Sequence, residues 1–440
     1  MERTFKIITL GCKVNQFESA AISSALLELG LREAARQEKA DITIVNTCIV
    51  TQKASQQSRQ AIRGAIRENP SGMTAAIGCY AQVYPRELAG IPGLALIAGN
   101  TVKAKLPEIV ADWKHGNSTV QLVEAFSDHF ELECIPVKGF LNRTRAFLKI
   151  QDGCQASCSY CIVPLARGPL RSLKPRVVLE MIEELSRQGF KEVVLTGIHL
   201  GKYGADLGDH AALTALLREI GKTGPPFRVR LSSIEPNEIG NELIDLVASE
   251  KWLCRHFHIP LQSGDNRILE RMKRPYPVKE FMGLVDRIKA EAPLAAVGVD
   301  VMAGFPGEDE RAHLNTLAVI KDLPVSYLHV FPFSPREGTE AAGFKGRVHQ
   351  GLLRNRTEEI RRLGLAKRRA FYRSCIGKDF VILSEGWKRG QRGTVRGLSD
   401  NYLPVVFPSE KPLENEFVLL RIERLEGQAL IGTSSGAESF

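Results

Sequence analysis

Apolar runs alternate with helical patterns through the first hundred residues. Residues 5–10 form an apolar run typical of a buried strand, and apolar residues recur at helical spacing over 17–29 until Gly30 ends the pattern. The same alternation continues in strand candidates at 41–45, 73–77 and 94–99 and in a helix candidate at 52–68. It predicts an α/β fold in which this part of the chain is a doubly wound parallel sheet.

A second alternating region follows, and then the pattern changes. Its strand candidates, separated by helical patterns, are residues 147–150, 192–196, 227–232, 256–261, 296–302 and 326–331. Six strand–helix units predict a partial (βα)6 barrel, with chemistry at the carboxyl ends of the strands. After Gly377, short β runs at 379–384, 393–396, 403–407 and 417–425 predict a small β-barrel of a kind that nucleic-acid-binding proteins often append.

Breaks in these patterns suggest where the domains end. The periodicity weakens over residues 113–133, which marks a connection. We predict an N-terminal domain over residues 1–118, a linker over 119–139, a central domain over 140–372 and a C-terminal barrel over 373–440. A basic helix candidate ends the central domain, and further basic residues lie near the start of the small barrel. Each of these basic surfaces could either be solvated or contact phosphates. These residues are Arg354, Arg356, Arg361, Arg362, Lys367, Arg368, Arg369 and Arg373, then Lys388, Arg389, Arg392 and Arg396.

Composition narrows the class of protein. The 440 residues suggest two to four domains, and no apolar stretch is long enough to span a membrane. The first residues lead directly into a strand without a signal peptide, so we expect a cytoplasmic protein with no membrane partner. Nine cysteines in such a protein indicate reduced thiols that bind metal or perform chemistry. Lys and Arg number 59 against 50 Asp and Glu, which is compatible with a polyanionic partner.

Three cysteines in the spacing C-x3-C-x2-C follow the first strand of the predicted barrel. They are Cys154, Cys158 and Cys161, and Gly153 precedes them. Three thiolates on a [4Fe–4S] cluster leave one iron without a protein ligand, and this iron can hold S-adenosylmethionine for radical chemistry. A structural zinc site is the alternative, but it needs a fourth nearby ligand, and the nearest histidine downstream is His199. A disulfide cannot account for all three thiols.

A second set of three cysteines is dispersed along the N-terminal domain. Cys12, Cys48 and Cys79 each come just after a predicted strand. Because the carboxyl ends of parallel strands share one edge, we expect these thiols to converge and to hold a second cluster with one open iron. Taken singly, each could be a small buried hydrophobe. Cys134, Cys254 and Cys375 belong to neither set, and the sequence assigns them no role.

The chain is similar to the radical S-adenosylmethionine methylthiotransferases over nearly its whole length. The matching N-terminal motifs are Thr9-Leu10-Gly11-Cys12-Lys13-Val14-Asn15-Gln16, Asn46-Thr47-Cys48 and Gly78-Cys79; the central motif runs from Gly153 through Ser159-Tyr160-Cys161 to Arg167-Gly168. The tail resembles the small RNA-binding barrel named TRAM. Enzymes of this family replace an unactivated C–H bond by C–S–CH3.

This resemblance implies the cofactors and the roles of the candidate residues. It implies two [4Fe–4S] clusters: Cys154, Cys158 and Cys161 for the radical, and Cys12, Cys48 and Cys79 for the sulfur, which a second S-adenosylmethionine methylates. It also implies an electron donor such as a flavodoxin or ferredoxin, whereas the oligomeric state stays open. Contacts to S-adenosylmethionine are expected near strand ends, at Gly197, His199, Ser233 and Glu235, with Gln262, Asp300 and Tyr160 as further cofactor-binding residues.

The substrate follows from two short motifs within this resemblance. The segments 10–16 and 195–201 resemble the branch that acts on N6-threonylcarbamoyladenosine, the base on the 3′ side of the anticodon of tRNA, so the anticodon stem-loop is the expected partner. The branches acting on isopentenyladenosine and on a ribosomal-protein aspartate are the alternatives, with Gln-Met-Asn and Pro-Lys-Asn in the first motif. An RNA-binding iron–sulfur sensor is an alternative of another class, and so is a radical enzyme whose second cluster only relays electrons.

Overall fold

The fold contains a parallel N-terminal sheet, a split barrel and a small closed barrel, in chain order. The computed structural model describes residues 3–35, 37–113, 118–127, 132, 137, 144–208, 213–388 and 390–434. Cys134 and Arg389, singled out above, lie outside these residues. No helix in the described ranges is both long and apolar enough to cross a bilayer. The α/β class and the three predicted architectures are confirmed.

The N-terminal sheet has six parallel strands in the order β2-β1-β3-β4-β5-β6. Helix α1 begins directly after Cys12. The apolar pattern missed its first turn because that turn is mostly polar. The short, largely exposed strand β6 lies inside the predicted linker and completes the sheet. In chain order the elements are β1 (Thr4–Thr9), α1 (Lys13–Glu28), β2 (Arg32–Glu33), β3 (Ile42–Thr47), α2 (Gln52–Glu68), β4 (Met73–Gly78), α3 (Cys79–Val83), α4 (Pro85–Ala89), β5 (Leu96–Ala98), α5 (Leu106–Ala111) and β6 (Val120–Leu122).

The split barrel consists of two three-stranded parallel sheets, β11-β10-β7 and β12-β13-β14. Two isolated bridges, Val229 to Leu253 and Ser233 to His258, connect the two sheets. In the described part of the chain β7 and β14 are edge strands that do not pair with each other. The elements are β7 (Arg145–Lys149), β8 (Gln151–Asp152), α6 (Val163–Arg167), β9 (Arg171–Ser172), α7 (Pro175–Arg187), β10 (Glu192–Thr196), α8 (Leu213–Lys222), β11 (Arg228–Leu231), α9 (Asn241–Ser249), β12 (His256–Gln262), α10 (Asn266–Arg271), α11 (Val278–Glu291), β13 (Ala296–Ala303), α12 (Glu310–Asp322), β14 (Tyr327–Pro332) and α13 (Gln350–Ser374).

The small barrel closes in the order β15-β16-β17-β19-β18. Four of its strands were predicted, and the fifth, β19, follows a tight turn at Gly427 that the sequence pattern did not reveal. Its strands are β15 (Asp379–Trp387), β16 (Thr394–Ser399), β17 (Pro404–Pro408), β18 (Glu414–Glu426) and β19 (Ala429–Ser434).

Two buried contacts fix the three parts to one another. Phe17 and Ala21 of α1 belong to the core of the split barrel, so the N-terminal sheet packs on that barrel through α1. On the other side, Glu192 accepts hydrogen bonds from Arg228 and Arg230, each at 2.7 Å. These arginines also donate to backbone carbonyls of the small barrel, those of Val381, Leu398, Ser399 and Asp400.

Candidate functional site

The three N-terminal cysteines converge at one edge of the sheet. Cys12 follows β1, Cys48 follows β3, and Cys79 begins α3 just after β4. A Cβ atom on Gly11 would lie 2.9 Å from the Cys48 Sγ, so only glycine allows this approach. Burial raises the pKa of Cys48 to about 11, and the nearby thiols of Cys79 and Cys12 act in the same direction. The predicted convergence of these thiols is therefore present.

Arg167 connects this set of thiols to the central motif. Its guanidinium is fully buried, and its Nε donates to the Cys79 Sγ at 3.2 Å. The same side chain donates to the Asn15 Oδ1 at 2.6 Å and to Glu18 at 2.5 Å. Arg167 lies six residues after Cys161, so the segment that carries the central cysteines also reaches the N-terminal ones.

A buried ion network continues from Arg167 across the domain boundary. Glu18 of α1 also pairs with Lys103 and with Lys149, and Lys149 pairs with Asp152 at 3.0 Å. Burial raises the pKa of Glu18, but Arg167 and the two lysines outweigh it and hold this pKa well below the usual range. A buried charge that lost one of these partners would be costly, so the network fixes the N-terminal sheet against the split barrel.

The central cysteines lie on a tight loop between β8 and α6. Gly153 has φ +76°, and a Cβ atom there would lie 1.7 Å from the carbonyl oxygen of Pro169. The loop is closed by hydrogen bonds from the Cys154 N to the Gly168 O and from the Cys161 N to the Cys158 O. Burial raises the pKa of Cys161 to about 12. The loop therefore gathers the three thiols in a partly buried environment, as their spacing predicts.

Two side chains contact these thiols, His199 from the end of β10 and Arg274 from the turn between α10 and α11. The Nδ1 of His199 lies 3.3 Å from the Cys154 Sγ, and its Nε2 lies 2.7 Å from Glu238. Arg274 donates from Nη1 to the Cys158 Sγ at 3.4 Å and pairs through Nη2 with Glu235. Burial opposes the charge on His199, but its bonds to Cys154 and Glu238 outweigh it and raise its pKa to about 10.

The remaining expected cofactor contacts differ in their surroundings. Gly197 packs against Gln151, where a Cβ atom would meet the Gln151 Oε1 at 2.8 Å. Ser233 is exposed on the same rim. Gln262 adopts φ +64° at a β-bulge, a strained geometry for a residue with a side chain. Asp300 faces His258 and His329 instead, at 2.8 and 3.3 Å.

Tyr160 packs on an aromatic cluster beside the central loop. Its ring meets that of Phe305 edge to face, with the centroids 6.4 Å apart. Sequence reasoning assigned no role to Arg167, Arg274 and Glu238, although the motif itself contains Arg167. Their contacts join residues far apart in sequence, and no local pattern signals them.

Both sets of thiols fit an iron–sulfur group. Burial raises the pKa of the Cys48 and Cys161 thiols, and binding a metal offsets the cost of forming such thiolates. A buried guanidinium lies against one sulfur of each set, Arg167 at Cys79 and Arg274 at Cys158, which suits an anionic group. Among the described residues, only His258, Asp300 and His329 have three ligand atoms within 4.8 Å of one another, so the thiols of each set are spaced more widely than that.

The chain matches two described families. Residues 4–99 match the uncharacterized protein family UPF0004, and residues 148–320 match the radical SAM superfamily. The threonylcarbamoyladenosine tRNA methylthiotransferase MtaB of Bacillus subtilis (strain 168) is 37% identical over 419 residues, 94% of this chain and 92% of that protein. Its counterpart from Aquifex aeolicus is 36% identical over 90% of this chain and 95% of that protein.

The chain belongs to the radical S-adenosylmethionine tRNA methylthiotransferase family. This enzyme is a transferase that uses S-adenosylmethionine and iron–sulfur clusters. A count of two clusters is consistent with methylthiotransferases of the MtaB type. A solved structure of TsrM from Kitasatospora setae, a radical S-adenosylmethionine methyltransferase with cobalamin and a [4Fe–4S] cluster bound, shares the fold. Its TM-score is 0.54 at 16% identity, over 76% of this methylthiotransferase and 75% of that chain.

Proposed function

We propose that this enzyme converts N6-threonylcarbamoyladenosine in tRNA, on the 3′ side of the anticodon, to its 2-methylthio derivative. The Bacillus subtilis relative named for this substrate is 37% identical, whereas the tRNA-2-methylthio-N(6)-dimethylallyladenosine synthase of Dictyoglomus thermophilum is 31% identical over 95% of both chains. The observation that carries the proposal is the convergence of two separate sets of three thiols, linked through Arg167. Such an arrangement suits a reaction that needs both a radical and a sulfur donor.

We propose that the six cysteines are the cluster ligands, in two groups. With clusters bound, Cys154, Cys158 and Cys161 would leave an open iron for the reductive cleavage of S-adenosylmethionine, and Cys12, Cys48 and Cys79 would leave one for the sulfur. The chain itself supplies the positioning. Gly153 permits the tight loop, and the two buried arginines neutralise charge beside the sulfurs.

Residues at the strand ends are proposed to contact S-adenosylmethionine. Gly197, Ser233 and Glu235 lie on the rim beside the central loop, and Gln262 presents its side chain from a bulge on the same rim. His199 contacts a thiol directly, so its role is to hold Cys154 in place as well as to border the cofactor. Tyr160 packs against Phe305 and covers the side of the cysteine loop that faces this aromatic cluster.

The tRNA would bind along the basic surfaces of α13 and the small barrel. Arg354, Arg362 and Arg369 are exposed on α13, and Arg396 is exposed on β16. Arg356 takes no part, because it is buried in ion pairs with Glu308 and Glu310. Phosphate contacts of this kind supply affinity without sequence preference. An unstacked base of the anticodon loop would then enter the split barrel.

The domain limits given above, residues 1–118, 140–372 and 373–440 with a linker over 119–139, remain part of this proposal; β6 belongs to the linker in sequence but pairs with the sheet of the first domain. We also propose that a small redox protein such as a flavodoxin or ferredoxin supplies the electrons, because cleaving S-adenosylmethionine to a radical consumes one. The enzyme would act in the cytoplasm, where its tRNA substrate is modified.

Nucleoside mass spectrometry of tRNA from a deletion strain tests the substrate. The 2-methylthio derivative of threonylcarbamoyladenosine should disappear and return with the wild-type gene, but not with a Cys12→Ala gene. Loss of the isopentenyladenosine derivative instead would support the second candidate substrate. If the threonylcarbamoyl derivative persisted in the deletion strain, the proposal would be wrong.

Iron analysis of the anaerobic protein tests the ligands. The wild type should hold about eight irons and Cys12→Ala or Cys158→Ala about four, as two [4Fe–4S] clusters require. Cys254→Ala is the matched control, since Cys254 is buried outside both sets and should leave the iron content unchanged. Incubation with S-adenosylmethionine and a reductant should yield 5′-deoxyadenosine, which an iron–sulfur sensor would not produce.

A further inference from the structure

A cavity of about 520 Å³ opens on the side where the split barrel does not close. Arg145 of β7 lies on one side of it, and Tyr327 and His329 of β14 lie on the other, while the small barrel forms the outer wall. We call it the edge cavity, because β7 and β14 are the edge strands of the two half-barrels. Its volume lies within the range of pockets that hold small organic groups.

The edge cavity is positively charged and partly aromatic. Four of its lining side chains are cations, Arg145, Arg368, Lys388 and Arg396, and a single lining carboxylate, Glu385, opposes them. Glu385 pairs with Arg145 at 3.1 Å and with Arg396 at 3.5 Å, so one anion serves two guanidiniums. Such a lining favours an anionic group carried on a larger, partly apolar molecule.

His329 is held in place on the inner wall of the cavity. Its Nδ1 lies 3.3 Å from the Asp300 Oδ1, and Asp300 is itself fixed by the His258 Nε2 at 2.8 Å. Half of the His329 side chain is exposed, and its Nε2 has no hydrogen-bond partner in the described part of the chain. The ring can therefore bind a group that enters the cavity.

The inner wall is also close to Lys13, the residue that follows Cys12. Its ammonium group is close to the guanidiniums of Arg230 and Arg145, with Glu192 as the nearby anion. Arg368 and Lys388, in contrast, lie on α13 and next to the end of β15, on the outer side of the cavity. The two sides of the cavity thus suit different parts of a substrate.

We propose, on the basis of the proposed function, that the edge cavity receives the threonylcarbamoyl group of the substrate base and that Arg145 and His329 bind its carboxylate. An isopentenyl group carries no charge and could neither form an ion pair with Arg145 nor hydrogen-bond to the Nε2 of His329. Arg145 and His329 would therefore determine which modified adenosine the enzyme accepts. Lys388 and Arg368 on the outer side would meet the phosphates of the anticodon loop.

Equilibrium binding of three anticodon stem-loop RNAs to the anaerobic holoprotein tests this assignment. The RNAs carry threonylcarbamoyladenosine, its neutral carboxamide analogue, or unmodified adenosine at the same position. The wild type should bind the first about 10- to 100-fold more tightly than the second, as expected for hydrogen bonds to a charged group. Arg145→Gln and His329→Gln should each reduce this ratio while leaving affinity for unmodified RNA unchanged, and Arg145→Lys should restore part of it.

Lys388→Gln is the matched control from the outer side of the same cavity. It should weaken the binding of all three RNAs equally and keep the ratio. The assignment is overturned if Arg145→Gln and His329→Gln keep the wild-type ratio, or if they weaken all three RNAs equally as a phosphate contact would. If the wild type forms no methylthio product from the first RNA, both the proposed function and this inference fail. If the wild type forms the product but the variants keep the binding ratio, only this inference fails.

Discussion

Replacing Glu192 by Gln tests how the small barrel is held on the split barrel. Glu192 is fully buried and accepts hydrogen bonds from Arg228 and Arg230, which donate in turn to four carbonyls of the small barrel. Glutamine keeps the size but removes the charge, so two buried guanidiniums lose their counter-ion. Removing one partner of a buried ion pair costs about 3–5 kcal/mol.

Hydrogen exchange of the anaerobic holoprotein, followed by mass spectrometry, measures this cost locally. Peptides covering β16 and the turn at Asn401 should open with a free energy lower by about 3–5 kcal/mol, which is roughly a 150- to 4,000-fold faster exchange. Glu385→Gln is the matched control at the same boundary, where the ion pairs to Arg145 and Arg396 are partly exposed and worth about 1 kcal/mol or less. Equal protection in the two variants would refute the importance of the buried group.

Three further predictions follow from the geometry. Burial raises the pKa of Glu192, but Arg230 and Arg228 outweigh it and hold it below the usual range; its stabilisation is therefore present above the ordinary glutamate pKa of about 4.3 and lost as the pH falls below it. Melting temperatures of wild type and Glu192→Gln should thus converge at acid pH, and a gap that widened there would contradict this. Gly153→Ala should lower the iron content from about eight to about four, because a Cβ atom would collide with the Pro169 carbonyl, whereas Gly189→Ala, also at positive φ but with open space around it, should retain all the iron. Arg167→Met should speed chelator removal of iron from the N-terminal site several-fold by removing the cation at Cys79, with exposed Arg176→Met as a control; equal rates in both would show that Arg167 does not stabilise that site.

The sequence predicted the strands best where burial is complete. All six residues of β3 and of β4 are buried. Strands buried on both faces have largely apolar sequences, which can be recognised without knowing what packs against them. The start of α1 was missed because Asn15 and Glu18 are polar, and their burial depends on distant partners that include Arg167 of the central motif. Strand β6 is short and mostly exposed, so it has no apolar signature.

The candidate site was predictable in its cysteines and less so in its other residues. Each set of cysteines follows strand ends, and this topological position can be predicted from the sequence. The contacts of Arg167 with Cys79 and of Arg274 with Cys158 join residues 88 and 116 positions apart. An arginine in a basic chain carries no local mark of such a partner, so only the folded arrangement reveals it.

The attachment of the small barrel through carbonyl groups has a consequence for how this enzyme diversifies. Arg228 and Arg230 bind main-chain oxygens at Val381, Leu398, Ser399 and Asp400, and every amino acid provides such an oxygen. Side chains on the outer face of the small barrel can therefore be substituted without weakening its attachment to the split barrel. Descendants of this chain could acquire new RNA preferences by surface replacement while the reacting centre stays as it is.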